Sequence, residues 1–327
     1  MSSQPQALLR PWHSRMHAHH GWLRTFLTFS FAGQYDPLWT SFGPLRVVNE
    51  DRIEAQTGFP THRHAQFEIF SYVIGGKLSH RDSMRQGHQE TLSPGSVQYT
   101  RAGTGIAHSE FNLQPSKETH FMQIWFRPRK DLRHVEPQYF SFGSLGAEGK
   151  RDGLVTLIAP SGEIMAGKKG SAAQAGGEEP IPAHESIVVR ASILTGKGKT
   201  VSHRWGEGSD AEGQEGKERW GLVHLAMRSG YKDPSKPSSP SKEGEASVKV
   251  TLPSSAALET KNSKGQAVSQ AGGQKEWVLN EGDAVFFKGM KVGEEVRVER
   301  LNGDEGQEAE FLLFDLRAGR PGEEDDY

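Results

Sequence analysis

Apolar residues in this chain fall into short clusters set between glycine-, proline- and serine-rich turns, in place of the long 3.6-residue repeat of amphipathic helices. In the first half the clusters are 45–48 (LRVV), 67–74 (FEIFSYVI), 77–82 (KLSHRD), 96–101 (SVQYTR) and 120–126 (HFMQIWF). In the second half they are 186–194 (SIVVRASIL), 220–228 (WGLVHLAMR), 247–252 (SVKVTL), 276–279 (EWVL), 283–287 (DAVFF), 295–300 (EVRVER) and 310–316 (EFLLFDL). Many short strands separated by turn residues predict an all-β chain built as sandwiches or barrels. Helix is expected only around 127–135 and at the extreme N-terminus.

The halves echo each other. Ser93-Pro94-Gly95-Ser96 leads into VQY, and Glu281-Gly282-Asp283-Ala284 leads into VFF, each a turn feeding a strand. The expected organisation is two related β-barrels in tandem, residues 1–140 and 154–327, joined by a connection at 141–153. The second half also carries polar, small-residue stretches at 166–180, 206–218, 231–246 and 260–275, and a short acidic tail. They hold too little apolar surface to offset their ordering entropy, so they read as solvated loop insertions.

Composition narrows the chemistry. The 327 residues include no cysteine, which excludes disulfide scaffolds, thiol nucleophiles and zinc–thiolate sites. A metal would have to be held by histidine and carboxylate, and 11 of the 14 histidines precede residue 135. A formal charge of −2 gives no electrostatic case for nucleic acid or an anionic membrane as partner. Mean hydropathy is −0.64, and no apolar run approaches the roughly 18 residues of a membrane span. The N-terminus lacks the apolar core of a signal peptide, so a cytoplasmic protein is expected.

The candidate chemistry lies in Gly58-Phe59-Pro60-Thr61-His62-Arg63-His64-Ala65-Gln66-Phe67-Glu68. Side chains two apart on a strand share a face, so His62 and His64 project together, and Glu68 has the same parity. A second pair, His108 and Glu110, follows the glycines of Ala102-Gly103-Thr104-Gly105, which permit a tight turn. Three histidines and a carboxylate form a nitrogen/oxygen set suited to Fe(II), with Mn, Ni, Cu or Zn tolerated. Either Glu110 or Glu68 satisfies the spacing as the carboxylate ligand. His80 and His120 fall on strands as structural residues or supports of the ligands. His13, His17, His19 and His20 fit no single face. Phe59, Phe67 and Phe70 are candidate apolar walls.

These residues resemble the pirin family, bicupins that include quercetin 2,3-dioxygenase-like proteins. Besides the two metal motifs, the likeness is carried by His20-Gly21-Trp22-Leu23, Thr28-Phe29-Ser30-Phe31, Phe42-Gly43-Pro44-Leu45-Arg46-Val47, His80-Arg81-Asp82-Ser83 and Gln123-Ile124-Trp125. It spans about the first 130 residues; the C-terminal half is similar only in strand character. The resemblance implies two tandem cupin (jelly-roll-like) barrels, the first holding one metal through His62, His64, His108 and Glu110. Arg63 stands where the family commonly has proline, close to the cavity mouth. With His184, His203 and His224 isolated, the second barrel is expected to bind no metal and to cover the first.

The activity implied is opening of a flavonol ring by dioxygen with release of carbon monoxide, Glu110 doubling as the base for the substrate hydroxyl. The alternative implied by eukaryotic pirins is a non-enzymatic, iron-dependent redox switch that binds transcription regulators, cytoplasmic or also nuclear. Lys168-Lys169 is too short a basic cluster to serve as a nuclear signal. A cupin isomerase or sugar-binding protein shares the fold without needing the His108/Glu110 pair.

Overall fold

The apolar clusters become strands of four sheets, with short 3-10 turns at Trp12–Ser14, Lys130–Leu132 and Glu148–Lys150. The computed structural model describes residues 5–84, 88–143, 145–162, 178–235, 244–253, 257–268, 273–302 and 307–319. The acidic tail and most of the 166–180 insertion lie outside these residues. No helix among the described residues is long and apolar enough to cross a membrane.

Two units are formed, and each is a sandwich of a large and a small sheet. The first comprises Met16–Gly149 with Ala173–Glu185. Its large sheet runs in the order Gln138–Phe142, Val97–Arg101, Glu68–Gly75, Thr119–Phe126, Leu45–Ile53, Leu23–Leu27, Met16–His19. Its small sheet runs Thr57–His64, Ile106–Asn112, Leu78–Asp82, Gln89–Leu92. Leu23, Ile53, Val73 and Phe121 from the large sheet meet Leu78 and Leu92 from the small one in a shared apolar core.

The second unit comprises Met1–Arg15, Lys150–Ala172 and Ser186–Tyr327. Its small sheet runs Thr200–Arg204, Glu295–Arg300, Ser247–Thr251, Glu276–Asn280. Numbered by chain position, both small sheets therefore follow the order first, fourth, second, third. The large sheet has Ile187–Leu194, Ala309–Arg317, Glu218–Leu225, Ala284–Lys291 and Gln6–Arg10 side by side. That series repeats the first unit's sequence of Leu45–Ile53, Thr119–Phe126, Glu68–Gly75, Val97–Arg101 and Gln138–Phe142. The two echoed turns thus precede corresponding strands.

Two features depart from a division into consecutive halves. The N-terminus, expected to be helical, is a strand between Pro5 and Pro11 that pairs antiparallel with Ala284–Lys291 and parallel with Glu259–Lys261. It belongs to the C-terminal unit, where Ala7 is fully buried. Conversely, residues 178–185 return to the first unit. The 127–135 helix reduces to the turn at Lys130–Leu132, with Pro128 before it. The 206–218 insertion is not wholly solvated, since Ser209 and Ala211 are fully buried.

The interiors differ in chemistry. The second unit is filled by Trp205, Trp277, Phe287, Phe311, Val250 and Val298 among other apolar side chains. The first buries Asn49, Ser71, Gln98, Thr100, Glu110 and Gln123 in addition to its apolar side chains. Polar groups are costly to bury without partners, and their retention points to use.

On Thr119–Phe126, His120 is buried and its Nε2 donates to Glu50 Oε1 at 3.0 Å. Burial, reinforced by the Arg52 charge, lowers this imidazole to about 4. Below pH 6.5 the unfolded chain takes up a proton that the folded chain refuses, so this stability is lost as pH falls from about 6.5 towards 4. Urea unfolding should show that His120→Gln reduces the loss of stability between pH 7 and pH 5 by about 2 kcal/mol.

Candidate metal centre

The site is built where Thr57–His64 lies against Ile106–Asn112. Their register sets His62 opposite His108 and His64 opposite Ile106. Directly opposed residues on antiparallel strands bring their side chains within contact range, and the alternation along Thr57–His64 adds His64 on the same side. One nitrogen each from His62, His64 and His108 lies within 4.8 Å of the other two. No other trio of His, Asp or Glu converges in this way among the described residues.

A register shift falls between His108 and Glu110, where Glu110 pairs with Phe59. The extra residue on the opposite strand lies around Pro60, which has no N–H to lose from the ladder. Gly58 is required beside it: a Cβ there would come 2.3 Å from the Glu110 carbonyl oxygen. The second glycine motif is also explained. Gly103 takes φ 48°, Gly105 takes φ 138°, and the Gly103 carbonyl accepts the Gln66 N–H at 2.9 Å. The turn after the first ligand strand is thereby tied to the turn before the second.

His62 Nδ1 lies 2.8 Å from the Pro60 carbonyl oxygen. A carbonyl only accepts, so this nitrogen carries the proton and Nε2 presents its lone pair. That Nε2 lies 3.1 Å from His108 Nε2. Burial, with the neighbouring His62, lowers the His64 imidazole to about 4. Burial and the adjacent histidines lower His108 to about 2. Both are therefore neutral near pH 7, the form that donates to a metal. Three converging imidazoles fit a divalent cation of borderline character.

The two candidate carboxylates separate. Glu110 is fully buried, its Oε1 accepting from Ser71 Oγ at 2.7 Å and its Oε2 from Gln123 Nε2 at 3.0 Å. Burial raises its pKa, opposed by these bonds and by the nearby His62. Glu68 does not share the histidines' face. The strand ends at His64, Gln66 turns with φ 63°, and Glu68 opens a strand of the other sheet. Parity along the sequence cannot cross such a change of sheet. The Glu68 carboxylate is bound by Tyr99 Oη at 2.5 Å, Arg101 Nε at 2.9 Å and the His184 N–H at 3.0 Å. It pins the returning segment 178–185.

Aromatic rings border the histidines. Trp125 stands edge-on to His64 with centroids 4.7 Å apart, and Phe67 and Phe31 lie 5.6 and 5.3 Å from Trp125. Phe59 lies 6.2 Å from His62, with Trp22 at 4.9 Å beyond it. Phe70 is not part of this wall: it is fully buried against Tyr99 and Phe126. Arg63 is exposed, and alternation turns it away from His62 and His64. Ser71, Gln123 and Trp125 border the site through long-range contacts, and the shared strand parity of Gln123 and Trp125 is the one local signal for them.

His80 supports the centre, its Nε2 lying 3.0 Å from His108 Nδ1. In the second unit the corresponding strands oppose Val201 with Val298 and Ser202 with Arg297. His203 there is buried against Asp315, with His203 Nε2 2.9 Å from Oδ2.

The Pirin family profile matches residues 11–126. A quercetin 2,3-dioxygenase of Escherichia coli is 46% identical over 131 residues, 40% of this chain and 55% of that protein. A pirin-like protein of Caulobacter vibrioides is 45% identical over 112 residues, 34% of this chain and 47% of its own. The chain thus spans about half the length of these curated relatives. Among solved structures, the bacterial pirin YhhW of Escherichia coli in complex with nickel(II) superposes with a TM-score of 0.63. The identity is 25%, covering 96% of this chain and 100% of that one. The three converging histidines thus lie inside the stretch, residues 11–126, that is similar to the Pirin family.

Proposed function

We propose that this chain is a metal-dependent dioxygenase that opens the central ring of a quercetin-like flavonol. The observation that carries the reading is the convergence of His62, His64 and His108 on one strand pair, within the residues that the Pirin profile matches, in a chain similar over 131 residues to the Escherichia coli quercetin 2,3-dioxygenase. These three residues would hold one divalent ion, with Glu110 in preference to Glu68 as the carboxylate. Fe(II) is the ion inferred from the nitrogen/oxygen set, and the nickel(II) complex of YhhW supports a site tolerant of other divalent metals. When bound, the ion supplies Lewis acidity toward the ionised flavonol hydroxyl.

The chain's own residues account for the rest. The flavonol gives up its hydroxyl proton to the Glu110 carboxylate, whose burial strengthens it as an acceptor. Ser71 and Gln123 hold that carboxylate in place. Trp125 and Phe67 on one side and Phe59 on the other offer apolar faces for a planar aromatic ligand and exclude water. Dioxygen adds to the ionised ring, both of its atoms remain in the depside, and the ring carbon between the two cleaved bonds leaves as carbon monoxide. The setting inferred for this reaction is the cytoplasm.

His62→Ala and His108→Ala should lose bound metal, read by elemental analysis, with far-UV circular dichroism and melting unchanged. Full occupancy in either variant would refute the ligand set. Glu110→Gln should lower metal content with little loss of stability. Glu68→Gln should keep the metal but lose about 3 kcal/mol of stability, because the buried Arg101 is left facing a neutral group.

The decisive assay is oxygen uptake with quercetin by protein loaded anaerobically with Fe(II). Quercetin-dependent consumption with carbon monoxide release, abolished in His62→Ala, is expected. Full iron loading without uptake would overturn the enzymatic reading and direct the search to a protein partner.

A further inference from the structure

His62, His108 and His80 form a chain of imidazoles whose polarity is fixed at one end. The Pro60 carbonyl holds the proton on His62 Nδ1, so His62 Nε2 can only accept. From there the chain runs 3.1 Å to His108 Nε2 and, from His108 Nδ1, 3.0 Å to His80 Nε2. His108 and His80 are both buried. His80 is held in place by Tyr139, whose ring stacks on it at 5.1 Å and whose hydroxyl donates to Glu90 Oε2 at 2.7 Å. Beyond it, His80 Nδ1 faces Asp82 Oδ2 at 3.8 Å.

We propose that His80 is the positioning residue for the metal ligand His108, and that loading of a metal reverses the direction of the hydrogen bond between them. This rests on the metal-binding reading of the site. Without an ion, neutral His108 donates its Nε2 proton to His62, and its Nδ1 accepts from His80 Nε2. To serve as a ligand, His108 Nε2 must present a lone pair, which moves its proton to Nδ1. His80 Nε2 must then accept that proton's hydrogen bond, and His80 carries its own proton on Nδ1, toward Asp82. Each ring keeps one proton throughout, so the charge of the chain is unchanged. A ligating imidazole whose other nitrogen is held by a fixed acceptor is better oriented and more basic. Asp82 completes the device: its carboxylate favours the His80 tautomer that the metal-bound state requires.

Zn(II) is the probe, being diamagnetic and acceptable to the same donors. Long-range proton–nitrogen spectra of the full chain, labelled with nitrogen-15 at histidine, should place the His80 proton on Nε2 without Zn(II) and on Nδ1 with it. His80→Phe keeps a ring against Tyr139 but no nitrogen, and should bind Zn(II) about 10- to 100-fold more weakly in a chelator competition. His80→Gln, which returns an acceptor oxygen, should recover most of that loss. A His80 proton that stays on one nitrogen, a Phe variant within twofold of wild type, or a Gln variant as weak as Phe would each overturn the proposal. Should the Phe variant not fold, the wild-type spectra decide. Wild-type protein that takes up no Zn(II) would instead overturn the metal reading itself.

Discussion

The site depends on the pairing of Thr57–His64 with Ile106–Asn112. That ladder places His62 opposite His108, and the alternation of one strand adds His64 to the same face. A slip of Thr57–His64 by one residue would turn His62 and His64 away from the face that His108 occupies. Several local features protect the register. Gly58 allows a backbone approach that no side chain would permit, the irregularity is confined beside Pro60, and Gly103 ties the adjoining turns together. The stretch that carries the histidines thus also carries the features that fix the strand pair.

The two units differ in how their interiors are filled. Their sheets repeat the same strand order, yet one is filled by Trp205, Trp277 and Phe287 and the other carries a buried row of polar side chains. Gln98, Ser71, Gln123 and Asn49 stand side by side across four strands of the large sheet. Each apolar side chain buried in the second unit is worth about 1.5–3 kcal/mol, a contribution the first unit forgoes at these four positions. In return Glu110 is held by Ser71 and Gln123 at a defined place, and His108 by His80. Preorganised donors and acceptors of this kind are what ligand binding and proton transfer require.

Much of this was legible in the sequence. Short apolar clusters bounded by turns specified an all-β chain, because strand alternation and turn chemistry are local properties. The absence of cysteine and the two-residue spacings of His62/His64 and His108/Glu110 pointed to a nitrogen/oxygen site, again from neighbours along one strand. The echo of two turns, at Ser93-Pro94-Gly95-Ser96 and Glu281-Gly282-Asp283-Ala284, foretold the repeat that the strand order displays.

What the sequence left open involves partners distant along the chain. Parity made Glu68 a rival to Glu110, but parity holds only within a strand, and the chain changes sheet at Ala65-Gln66-Phe67. The tertiary structure sent Glu68 to Arg101, Tyr99 and the returning segment 178–185. It made a strand of Gln6–Arg10 by pairing it with residues nearly 280 positions away, a ladder no local pattern encodes. It set His80 behind His108 and Trp125 beside His64, through cross-strand register and sheet-on-sheet packing. Composition and strand periodicity determined the kind of fold and the kind of side chains offered for a site; long-range register alone decided which side chains meet.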